Sequence, residues 1–115
     1  NGGARMDSLK SIIKEYYKEM LYEADIVMIS STEKNLTVVT DNLRGLCGVC
    51  VVTISEPAKP YGEGKERTVL KVKFQQFEPT LKQHVKKLSM DARRIDGVIS
   101  FIPIRAGRVY SRIYR

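Results

Sequence analysis

A chain of 115 residues with 43% hydrophobic content can bury one core but not two, since independent domains usually need roughly 100 to 150 residues each. Its 20 basic and 13 acidic side chains give a formal charge of +7, which favours polyanions or acidic protein surfaces without selecting between them. Two cysteines are no disulfide framework, and no apolar run approaches the roughly 18 to 20 residues of a membrane span, so the expectation is an unsecreted protein in a reducing compartment with no membrane partner.

Residues 1–6 read as an N-terminal arm or remnant. Residues 7–24 then carry Leu9, Ile12, Ile13, Tyr16, Met20 and Leu21 near helical spacing, with Lys10, Lys14, Lys18, Glu15 and Glu19 elsewhere, which predicts an amphipathic helix. The short apolar run Ile26 to Ile29 is either a first strand or the anchor at a helix end. From Glu33 to Leu46, steps of three, four and three connect Leu36, Val39, Leu43 and Leu46, and Ser31 or Thr32 can cap the resulting helix. The β-branched run Thr37 to Thr40 argues for strand in the same place. Gly48 breaks the helix, and Val49 to Ile54 form a β-rich run.

Two prolines and two glycines among charges make residues 57–66 a loop suited to a mobile hairpin tip. Thr68 to Gln75 alternates: Leu70, Val72 and Phe74 share the core face, while Val69, Lys71, Lys73 and Gln75 meet water or a partner. Thr80 or Glu78 caps a last helix whose buried stripe is Leu81, Val85, Leu88, Ala92 and Ile95. Gly97 ends that helix, and Val98 to Ile104 return as a strand that Pro103 limits to a sheet edge or a strand end. The corners Leu46 to Val49 and Ile95 to Val98 are alike: an apolar residue, a spacer, a glycine and a valine opening a strand. Helix, glycine and strand thus occur twice, which predicts an α+β fold: a ferredoxin-like split β-α-β sheet over residues 25–104 with helices on one face. The N-terminal amphipathic helix and an extended, Arg/Tyr-rich C-terminal segment over 105–115 flank it.

No catalytic template is filled. Cys47 and Cys50 have CxxC spacing, but a helix C-terminus has the wrong sign to stabilise a thiolate, and a zinc site lacks further ligands. They are expected to pack. His84, with no nucleophile motif near it, is expected on the solvated face of its helix. Gly62-Glu63-Gly64 lacks the Lys-Ser/Thr ending of a phosphate loop and is expected in a turn. The expectation is no enzyme, with no metal, no cofactor and no small-molecule substrate.

Basic side chains are the partner-binding candidates: Lys82, Lys86, Lys87, Arg93 and Arg94 on the last helix, then Arg105, Arg108, Tyr110, Arg112, Tyr114 and Arg115. Arginines interleaved with aromatic rings suit nucleic acid. They equally suit an acidic protein surface, and the aromatic motif of RNA-binding sheets is missing from 49–54 and 68–75. The period-two alternation of residues 108–115 is that of a strand able to add to a sheet edge.

The start from Met6 to Glu19, with the stretches Asn42 to Val49, Leu70 to Phe74 and Arg94 to Val98, resembles small ferredoxin-like structural proteins of tailed, marine-type bacteriophages. That resemblance implies a component of the virion or its assembly, self-associating or bound to other structural proteins, and a cytoplasmic protein if the origin is not a phage. It carries over no catalytic residue.

Overall fold

The computed structural model describes residues 21–109. Four strands form one antiparallel sheet: β1 (Leu21–Ser31), β2 (Val49–Pro60), β3 (Lys65–Gln75) and β4 (Val98–Val109), in the order β2-β3-β1-β4. Two helices, α1 (Leu36–Leu43) and α2 (Leu81–Ala92), connect β1 to β2 and β3 to β4. This α+β order is compatible with a ferredoxin-like fold.

The apolar run at 26–29 is the middle of an eleven-residue central strand. Ala24, Ile26, Met28 and Ser30 are buried on its helix side, opposite Val72, Leu70 and Thr68 of β3 and Ala106 and Phe101 of β4. A central strand is covered along both edges, so it tolerates apolar residues on both faces. The sheet also claims Leu21 to Ala24, which the helical reading of 7–24 had included. Leu21 and Tyr22 pair with Gln75 and Phe74 on one side and with Val109 and Arg108 on the other, and the Tyr22 ring stacks on Phe74 at 6.0 Å. Two ladders and an aromatic contact outweigh the local helical period there. The remainder of that reading, 7–20, lies outside the described residues.

The competition at 33–46 resolves to a shorter helix. Its cap is Asn35, whose Oδ1 accepts from the Thr37 N–H at 2.8 Å, while Ser31 Oγ accepts from Glu33 N–H in the turn before. The β-branched run is helical because Val39 and Leu43 reach the core and Thr40 Oγ1 donates back to the carbonyls of Leu36 and Thr37. Gly45, at φ +89°, follows the helix and cap, and a 3-10 turn, Leu46–Gly48, leads into β2. Gly48 therefore does not break the helix; it opens the strand, as Gly97 does at β4, and both have left-handed φ. The likeness of the two corners holds at the strand starts and not at the helix ends.

The loop expected at 57–66 is mostly sheet. β2 runs on to Pro60, β3 starts at Lys65, and only Tyr61 to Gly64 turn, with Gly62 and Gly64 at positive φ. Both prolines are tolerated because β2 is an edge strand, and its register shifts around Glu56 leave residues unpaired. On β3, Leu70, Val72 and Phe74 are fully buried as expected, but so nearly is Val69, 7% exposed on the opposite face between Val27 and Glu56. β4 likewise continues past Ile104 to Val109, so Arg105 and Arg108 stand in a strand and not in an extension.

Candidate interaction surface

α2 starts where Thr80 Oγ1 accepts from the Gln83 N–H at 3.2 Å. Leu88 and Ala92 are buried against the sheet with Leu81 and Val85 beside them, which turns Lys82, Lys86, Lys87, Arg93 and Arg94 to the exposed side. Some of this charge is already engaged. Lys87 Nζ lies 3.1 Å from Glu78 Oε1, which raises the Lys87 pKa, and Arg93 Nε donates to the Ser89 carbonyl. Lys82, Lys86 and Arg94 have no ion-pair partner among the described residues. Because eleven residues of helix rise about 16 Å, Lys82 and Arg93 mark opposite ends of α2. Antiparallel return brings the far half of β4 back to the first of those ends.

There α2 and β4 enclose an open groove of about 440 Å³, lined by Leu81, Lys82, Val85, Pro103, Ile104, Arg105 and Ala106. Its walls are mostly apolar, its two charged residues are both basic, and among the described residues no carboxylate lines it. Ile104 reaches the groove through a bulge: Asp25 pairs with Arg105 and Ile26 with Pro103, leaving Ile104 unpaired between them. Three isoleucines of β4 are left to water, Ile99 at 47%, Ile102 at 56% and Ile104 at 60% exposure. Arg108 is exposed opposite Tyr22. Lys82 and Arg105 thus both border the groove, Arg105 with its guanidinium turned to Asp25, while Arg93 and Arg94 stand at the other end of α2. Tyr110, Arg112, Tyr114 and Arg115 lie outside the described residues.

The helix-free face of the sheet is organised in rows. Val69, Val27 and Ile102 form an apolar row; beside it run Thr53, Lys71, Asp25 and Arg105. Lys71 Nζ lies 3.4 Å from Glu23 and 4.0 Å from Asp25, and Arg105 Nε 3.5 Å from Asp25, so these two carboxylates balance these two cations, while Lys65, Arg67 and Lys73 of β3 add further positive charge to the same face. Its paired residues include no aromatic ring on which a base could stack. No family model, curated protein or solved structure matches the chain. Among the described residues, no helix is long and apolar enough to cross a membrane, and no group of three or more His, Cys, Asp or Glu side chains is placed to hold a metal.

His84 is not on the solvated face. It is 1% exposed, its ring stacked on Phe74 at 4.9 Å and 8°, with Nδ1 accepting from the Phe77 N–H at 3.0 Å and Nε2 against the Cys47 carbonyl at 2.5 Å. An Nδ1 that accepts an amide proton carries none itself, so Nε2 holds the proton and donates it to Cys47 O. The sequence held the signal: Leu81, His84, Leu88 and Ala92 share helical spacing, so His84 belongs to the buried stripe.

Cys47, His84 and Asp91 meet, but not as a nucleophile and its base. The Cys47 thiol donates to Asp91 Oδ2 at 3.3 Å, and burial, followed by that hydrogen bond and the Asp91 charge, pushes its pKa up to about 11. The neutral thiol is a poor nucleophile. Both cysteines are free, and Cys50 is exposed. Iodoacetamide near neutral pH should therefore modify Cys50 well before Cys47. Cys47 labelling should climb only as the pH nears about 11, and Asp91→Asn should move that climb to lower pH. Equal rates for the two thiols at neutral pH would contradict the assignment.

Proposed function

We propose that the chain is a non-enzymatic contact module, a ferredoxin-like domain that assembles with copies of itself and with other proteins through the surface around β4. The observation that carries this reading is the exposure of Ile99, Ile102 and Ile104 on one edge strand. Half-exposed, each forgoes about 1 kcal/mol of burial that a partner surface would supply. Such contacts are made by side chains and not by adding a strand: Pro103 offers no N–H, and register shifts at Asp25/Ile26 and Ile29/Ser30 interrupt the ladder. The phage-particle setting implied by the resemblance is the same proposal in a virion, where the module would sediment with purified particles.

Nucleic acid is the second reading, favoured by Lys82, Lys86 and Arg94, which have no ion-pair partner among the described residues. The two differ in their response to salt, which weakens phosphate contacts steeply and apolar burial little. Light scattering on the full chain should give a mass that rises with concentration and persists in high salt, and Ile102→Asp should return it to the monomer. A wild-type protein that is monomeric throughout, but binds single-stranded RNA until Lys82, Lys86 and Arg94 are neutralised, would replace this reading with the other.

A further inference from the structure

Among the surfaces that β4 presents, the groove beside α2 is distinct from the sheet face: concave, apolar and rimmed by charge of one sign. We propose that this groove receives an acidic amphipathic helix of a partner protein, a proposal that rests on reading the chain as a contact module. Three observations converge on that occupant.

The first is chemistry. Leu81, Val85, Ile104 and Ala106 offer an apolar floor, and Ile104, 60% exposed, has been aimed into it by a bulge. An edge bulge that turns a large apolar side chain toward an open groove costs ladder pairing, and contact with a partner's side chains offsets that cost. The second is charge. Lys82 lines the groove from α2 and Lys86 continues that basic wall one turn along the helix; Arg105 borders the opposite wall, with its guanidinium turned to Asp25. The uncompensated charge at the groove is therefore that of the α2 wall, Lys82 and Lys86. Carboxylates flanking an apolar stripe complement this rim, fixing orientation and speeding encounter more than they add affinity. The third is backbone. A peptide strand adding to β4 would need a regular row of donors, and Pro103 and the Ile104 bulge remove it where the groove lies. A helix carries its backbone hydrogen bonds internally and needs only the floor and rim.

The test uses the full chain and a synthetic amphipathic helix with leucines along one face and glutamates on both flanks, read by amide shift mapping and by titration. Shifts should centre on Val85, Ile104 and Arg105. Ile104→Asp, at an exposed position that leaves the fold intact, should weaken binding at least about tenfold. Lys82→Glu should weaken it about threefold to tenfold and flatten its salt dependence. A probe with lysine for glutamate should bind far less well. The proposal is overturned if the lysine probe binds equally, if the shifts map to the helix-free face, or if the groove is already filled by residues 1–20 of the same chain. It is also overturned if RNA displaces the probe and Ile104→Asp has no effect. Concentration-dependent mass without probe binding removes the groove assignment alone; loss of both removes the contact-module reading with it.

Discussion

Replacing His84 by alanine should lower the stability of the domain by about 3–4 kcal/mol. Two losses add. The imidazole fills a fully enclosed space against Phe74, so its removal leaves a cavity of the kind that costs large-to-small core variants several kcal/mol. It is also the partner of two backbone groups, the Phe77 N–H and the Cys47 carbonyl, which belong to the segments flanking the first glycine corner. His84→Phe separates the terms: it keeps the volume and the stack but strands both backbone groups, and should cost about 1–3 kcal/mol. Urea unfolding should show both variants with lowered midpoints and an unchanged slope, alanine the lower. If phenylalanine is neutral, the ring serves only as filler and the account of the corner fails. Since small domains have about 5–15 kcal/mol in hand, the alanine variant should be markedly less stable but still folded.

The second large effect concerns Gly48, whose substitution by alanine should cost about 3 kcal/mol. At φ +75° an L side chain is strained by about 1–2 kcal/mol before any contact is considered. A Cβ there would then stand 2.7 Å from the Gln75 carbonyl oxygen and 2.5 Å from the Phe77 ring. The ring is exposed and can swing away; the carbonyl belongs to the end of β3 and cannot. Gly97, at φ +98°, meets the near end of the Lys34 side chain, Cγ at 2.8 Å and Cβ at 2.9 Å, and a methyl of the buried Val39 at 3.2 Å. Gly97→Ala should therefore also cost more than the dihedral strain alone, about 2–3 kcal/mol, because Lys34 Cβ moves only with its backbone. Thermal melts should place both alanine variants well below the wild type. A loss at either position no larger than about 1–2 kcal/mol would mean that its corner is held by φ alone.

These corners also mark how far the fold was legible in the sequence. The alternation of Leu70, Val72 and Phe74 and the Thr80 cap of α2 are local signals, each tied to one face or one hydrogen bond, and were readable; the glycines before β2 and β4 were readable as strand starts but not as helix ends, since the helices stop earlier, at Leu43 and Ala92. What was not readable depends on neighbours distant in sequence. Leu21 to Ala24 are strand because Gln75 and Val109 lie on either side of them; Pro57 and Pro60 are strand because β2 has an open edge. Val69 is buried because its row across the sheet is apolar.

The candidate site divides the same way. The exposed cations of α2 follow from helical period, but the groove does not: it exists because β4 returns to the first turn of α2 and because a bulge diverts Ile104, and neither leaves a mark in the local pattern. His84 is the instructive error. Its spacing put it on the buried stripe, while its chemistry suggested water; packing against Phe74 and two backbone partners decided for the stripe.

The central claim, that this domain works by burying the apolar surface around β4 against another protein, is tested most directly by following the isoleucine and valine methyl signals of the full chain with a soluble paramagnetic probe, from dilute to concentrated solution. Ile102 should lose its exposure as the chain associates, and Ile99 with it, while Val38, equally exposed on α1, should not. Methyls of β4 that remain as accessible as Val38 at every concentration, or protection that falls on Val38 instead, would contradict it.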